Sequence, residues 1–149
     1  MPLVRVKIAG LGASAAQGTR AQALGVELEN RWVGDDEVAK MFGEAALVVL
    51  PYVSATQSGV IPIAAAFGRA VIATNVGGLA EQVDGGRLGV LIPPADSAAL
   101  AHAVVQLLQD PERASELGGR LRAYYNTERS WERAAQMVGH ACQLASRRL

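Results

Sequence analysis

A chain of 149 residues, half of them apolar, is long enough to bury one core, and its 14 Lys and Arg balance 14 Asp and Glu. With no net charge, nothing steers it toward nucleic acid or an acidic membrane surface. The lone cysteine, Cys142, excludes an internal disulfide and points to a reducing cytoplasm. No apolar run reaches the ~18 residues that span a bilayer.

In chain order, Val4, Val6 and Ile8 alternate with Arg5 and Lys7, which predicts a strand ending at Gly10. The charges at Arg5 and Lys7 also break any signal-peptide core. A helix is expected over 14–24, closed by Gly25, and a second strand over 26–32. Asp35, with acids behind it, opens a helix to about Ala45, and the apolar run 46–50 is a buried strand stopped by Pro51. Gln57-Ser58-Gly59 then starts a helix to Phe67, with Ser58 as the expected N-cap and Pro62 in the first turn. A strand over 70–74, a short helix over 79–83 and a last strand over 90–92 follow. From Asp96 the pattern is helical, with a stripe of Leu100, Val104, Leu107 and Leu108, a restart at Asp110-Pro111 and a final helix capped by Ser130. Its inward candidates are Trp131, Ala134, Met137, Val138 and Ala141, and Cys142 reads as a small buried hydrophobe.

Alternating strands and helices imply an α/β fold: a doubly wound, mostly parallel five-stranded sheet in one domain over 1–149, with a helical carboxy-terminal third. The junction after the strand at 46–50 is the place to look for a ligand. Anions sit where a helix starts at a strand's carboxyl end, on free backbone amides, here those of Ser58 to Val60. Strand–loop–helix turns with Ser and Gly also occur where nothing binds. Gly10-Leu11-Gly12-Ala13-Ser14-Ala15 fits the glycine fingerprint of a dinucleotide fold, with Glu27 or Glu29 near the ribose-binding distance. That supports a rival class, a nicotinamide- or flavin-binding module. His102 and His140 lack partners at metal spacing, so no metal site is expected.

Six segments in order resemble the carboxy-terminal, donor-binding half of a GT-B glycosyltransferase of group 1, also called family 4. Asp35-Asp36-Glu37-Val38 resembles the acidic helix start after that family's third strand. Residues 45–51 resemble "aDvvvlPS", residues 58–68 "fGlvplEAmAcG", residues 70–81 "PVVatdvGGlpE", residues 89–96 "GlLvpPgD", and Ser130-Trp131-Glu132 "fsWe". The resemblance implies a Rossmann-like domain that holds a nucleotide diphosphate sugar, with UDP or GDP as the nucleotide. It implies transfer to an acceptor with retention at the anomeric carbon and without a metal or other cofactor. The donor contacts are then Thr56 for the sugar and Gln57, Ser58, Gly59 and Val60 for the phosphates. Trp32, Gly34 and Glu81 are base or crevice candidates by their own chemistry and place, with a core tryptophan the alternative for Trp32 and a cap or solvent-exposed acid the alternative for Glu81.

The family carries two glutamates eight positions apart here, the first on the donor sugar and the second on the ribose hydroxyls. Thr56 and Ala64 stand at those positions on the register that follows the loop. The family's first strand, with its Arg and Lys for the diphosphate, and its acceptor-binding domain are expected to lie outside this sequence. The isolated chain is then expected to be inactive, and a non-catalytic interaction module is a further alternative. Exposed strand edges predict a homo-oligomer, or association with the missing amino-terminal domain, and the segment from Leu3 to Ile8 is the expected pairing edge.

Overall fold

A computed structural model describes residues 4–146. The chain folds as two compact units, one ending at Met41 and one beginning at Phe42.

The first unit contains β1 (Lys7–Ala9), α1 (Ala15–Ala23), β2 (Glu27–Glu29) and the start of α2 (Asp35–Glu44). β1 pairs parallel with β2, with Lys7 opposite Glu27 and Ala9 opposite Glu29. Charge reinforces the register, since Arg5 bonds Glu27 at 2.6 Å and Lys7 lies 3.4 Å from Glu29. α1 begins with a reciprocal capping box. The Ser14 hydroxyl accepts from the Gln17 amide, and the Gln17 side chain accepts from the Ser14 amide. Val4, Val6 and Ile8 are all about half exposed. The alternation expected there does not sort buried from exposed, because α1 packs on β2 and a two-stranded sheet offers little interior. Leu3 lies outside the described residues.

The second unit contains β3 (Leu47–Leu50), α3 (Val60–Ala66), β4 (Ala70–Thr74), α4 (Leu79–Gln82), a 3₁₀ turn at Asp84–Gly86, β5 (Val90–Ile92), α5 (Ser97–Gln109), α6 (Pro111–Thr127) and α7 (Trp131–Ser146). β4 lies between β3 and β5, parallel to both, and all five of its residues are buried. Alternation along β4 divides the interior in two. Val71 and Ala73 join Leu50, Ile61, Ala64, Leu79 and Leu121 on one face, while Ala70 and Ile72 meet Ala103 and Leu107 of α5 on the other. Each fully buried Val, Ile or Leu contributes about 1.5–3 kcal/mol of apolar transfer. Gly118 of α6 is a close-approach glycine, since a Cβ there would stand 2.0 Å from the Gly68 carbonyl oxygen. Arg69 anchors the end of α2 by donating to the carbonyls of Phe42 and Gly43, a cation placed on the negative pole of a helix.

The fold class is the expected one, with five parallel strands and helices between them, but the strands form two sheets, β1-β2 and β3-β4-β5. Two further expectations fail in α7. Trp131, Met137 and Val138 are exposed at 89, 65 and 64 %, and Cys142 is also exposed. The periodicity of a helix marks which residues share a face, but not whether anything covers that face. The side chain of Ala141 lies outside the described ones.

Candidate functional site

The segment between β3 and α3 runs over the carboxyl ends of the strands, and two neighbours hold it. Thr74, the last residue of β4, is buried and donates its hydroxyl to the Tyr52 carbonyl at 2.6 Å. Further along, the Gly78 amide donates to the Thr56 carbonyl at 3.0 Å. Gly77 and Gly78 are required by this approach. A Cβ on Gly77 would lie 1.7 Å from the Ala55 oxygen, and one on Gly78 would lie 2.5 Å from the Thr56 oxygen.

Ser58 is buried and held from the other side. Its amide donates to Gln82 Oε1 at 2.8 Å, and its carbonyl accepts from Gln82 Nε2 at 2.9 Å. The Ser58 hydroxyl accepts from the Val60 amide at 3.2 Å. The N-cap of α3 is therefore Gly59, one residue later than expected, and Ser58 caps from the position before it. This corrects the picture of free amides from Ser58 to Val60: those of Ser58 and Val60 are used within the chain.

Gly59 has no such internal duty. Its φ of −69° is open to any residue, and a Cβ there would meet nothing within 4 Å. Thr56, Gln57 and Gly59 are exposed, and Val60 is half-buried. A cleft of ≈ 220 Å³ opens at the carboxyl ends of β3, β4 and β5, with Pro51, Thr74, Ile92, Pro93, Asp96 and Leu100 in its lining and none of residues 56–60.

The other candidates fall as follows. Ala64 is fully buried in the core, and the more exposed neighbouring position is Ile63, at 36 %. Counted back from Gly68, the glycine of "EAmAcG", the glutamate position is Ile63, whereas counting forward along the loop gives Ala64. A carboxylate at Ala64 would enter the apolar interior, whereas one at Ile63 would stand at the helix surface. Glu81 is exposed and ion-paired with Arg129 at 2.8 Å, so its carboxylate is engaged beside the α6–α7 turn. Trp32 and Gly34 belong to the first unit, where Trp32 is 79 % exposed and does not serve as a core residue. Next to them, Arg31 forks onto Glu37 at 2.6 and 2.9 Å. That hydrogen bond, helped by the Gly34 amide, holds the Glu37 carboxyl down to about 2.

Gln82 escaped the sequence reading. It is buried, and its own carbonyl accepts from the Tyr125 hydroxyl at 3.2 Å. Burial pushes the Tyr125 phenol above its usual range. The available signal was a polar residue three after Leu79 and one before Val83, on a helix face that otherwise reads as apolar.

The glycine-rich loop of the first unit is already occupied. The Gly12 and Ala13 amides both donate to Asn30 Oδ1 at 3.1 Å, and Asn30 Nδ2 donates to the Ala13 carbonyl. With the Ser14 amide bonded to Gln17, three successive donors are satisfied internally. Among the described residues, no group of three His, Cys, Asp or Glu could hold a metal, and no helix is long and apolar enough to cross a membrane.

The model of the family described as "Glycosyl transferases group 1" matches residues 2–110, a range that runs through both sheets and the loop between β3 and α3. The chain belongs to the group 1 glycosyl transferases. It is 35 % identical over 102 residues to a D-inositol 3-phosphate glycosyltransferase of Paenarthrobacter aurescens, covering 68 % of this chain and 25 % of that one. It is 32 % identical over 131 residues to an alpha-maltose-1-phosphate synthase of Mycolicibacterium smegmatis, covering 84 % and 34 %. The chain thus spans about a fifth to a third of the curated relatives it matches. Among solved structures, the sucrose-phosphate synthase of Thermosynechococcus elongatus superposes with a TM-score of 0.72 at 31 % identity, over 88 % of this chain and 35 % of that one. The HepE protein of Anabaena, solved in complex with UDP, gives 0.80 at 19 % identity over 96 % and 42 %, a likeness of fold.

Proposed function

We propose that this chain is the donor-binding part of a retaining group 1 glycosyltransferase, holding a nucleoside diphosphate sugar at the loop between β3 and α3. Gly59 carries the reading. It opens α3 as its N-cap, and with no side chain and nothing within 4 Å of where a Cβ would stand, its backbone is open to close approach by a ligand. Gln57 and Thr56 flank that approach, exposed and polar, with Thr56 toward the sugar and the Gln57–Val60 segment toward the phosphates. The resemblance to the family implies no metal at this site.

The dinucleotide alternative loses its support at Asn30, which takes the amides that a pyrophosphate would need. Calorimetric titration of the 149-residue chain with UDP, GDP, ADP and NADH tests the reading. Saturable binding of one nucleoside diphosphate is expected, with none of NADH. Binding of NADH alone would overturn it, and silence from all four would favour the interaction module.

A further inference from the structure

Gln82 makes two hydrogen bonds to one backbone unit across 24 residues of sequence, and it does so while buried. A side-chain amide fits this task at every pH, since Ser58 offers a donor and an acceptor side by side and a carboxamide returns an acceptor and a donor. The bridge has its own backing, because the Tyr125 hydroxyl bonds the Gln82 carbonyl from α6. Two residues earlier in the loop, the Thr56 carbonyl is fixed by the Gly78 amide. Gln57 therefore hangs between two clamped residues, and both clamps come from the short segment 77–82.

We propose that Gln82 is a positioning residue for the donor loop: its carboxamide fixes the Ser58 peptide, and through it the placement of Gln57 and Gly59 toward a bound nucleoside diphosphate. This deepens the donor reading and rests on it for the ligand. The clamp itself stands on the geometry of the chain.

The discriminating variant is Gln82→Glu. A protonated carboxyl repeats the acceptor–donor pair of the carboxamide, whereas a carboxylate sets a second oxygen against the Ser58 carbonyl. Burial raises the carboxyl pKa above its ordinary value, so the switch falls within a workable pH range. Gln82→Leu removes both bonds at every pH. Two quantities are read on the full chain between pH 5 and 8, each as a ratio to wild type: the hydrogen-exchange protection of the Ser58 amide, and the affinity for UDP, with GDP and ADP as further probes.

Gln82→Leu should lower both by about tenfold or more, the equivalent of one lost hydrogen bond of ~1.4 kcal/mol. Gln82→Glu should fall between Leu and wild type at pH 8, where the carboxylate keeps the Ser58 amide but repels the Ser58 carbonyl, and return toward wild type at pH 5, a recovery that general destabilisation would not produce. Equal Ser58 protection in all three proteins overturns the clamp. Lost protection with unchanged nucleotide affinity overturns its role in positioning the donor. If wild type binds none of the three nucleotides, the donor reading fails separately, while acid recovery of Ser58 protection in Gln82→Glu still supports the clamp.

Discussion

Two neighbouring substitutions, Ala64→Glu and Ile63→Glu, place the same carboxylate on opposite sides of the α3 surface. Ala64 is fully buried against Ile61, Val71 and Leu121, whereas Ile63 is 36 % exposed. Glutamate at 64 must fit four further heavy atoms into a closed core, an overpacking cost of about 1–3 kcal/mol. Even protonated, its carboxyl lacks a designed partner, which adds about 1–3 kcal/mol. The sum, roughly 2–6 kcal/mol, consumes much of the ~5–15 kcal/mol that holds a typical domain together. Glutamate at 63 gives up part of one isoleucine's burial, about 1 kcal/mol or less, and leaves its charge in water. If it reaches the ribose hydroxyls of a bound nucleotide, a charged hydrogen bond is worth ~1.5–3 kcal/mol, or about ten- to a hundredfold in affinity. Thermal melts and UDP calorimetry on both variants decide the matter. The expected result is a collapsed melting temperature for Ala64→Glu, with Ile63→Glu folding normally and binding UDP more tightly. A fully stable Ala64→Glu that binds UDP more tightly would refute the burial argument and favour the register that follows the loop.

Gly77→Ala should destabilise the unit by about 2–5 kcal/mol, from left-handed backbone strain and the forced retreat of the Ala55 carbonyl, read as a lower denaturant midpoint together with weaker UDP binding. Ala95 adopts a φ of +57° without being glycine. Ala95→Gly should therefore gain up to about 1 kcal/mol, strain relief less the entropy glycine costs in the unfolded chain, and a lower melting temperature would contradict this. Glu37 has a folded pKa of about 2, below its ordinary 4.5, because Arg31 bonds its charged form. The stabilisation is thus complete above pH ~4.5 and is lost as the pH falls toward 2. Arg31→Ala should return Glu37 to the ordinary carboxylate range in an NMR titration.

The strands and most helices were legible because each announces itself locally. The run 46–50, the caps at Asp96 and Asp110 and the stripe through Leu107 need no partner to be read. Gly77 and Gly78 could be matched to a motif, but the reason for them, a carbonyl approaching from residues 55 and 56, exists only in three dimensions. The same applies to Gln82, whose pairing with Ser58 obeys no local period. The two registers for the family's carboxylate have a different origin. Counting from the loop and counting from Gly68 disagree by one residue, and in a helix one residue is a turn of about 100° between solvent and core.

The carboxamide of Asn30 gives the turn at Gly10–Ser14 a character that its sequence disguises. Any phosphate arriving at the Gly12 and Ala13 amides would be a second tenant, because Asn30 is tethered in place and competes at the high local concentration that a short covalent connection confers. Asn30→Ala would evict that resident and leave two adjacent donors facing solvent. A glycine-rich turn reports that the backbone can be approached, and in this unit the approach has been made by the chain's own side chain.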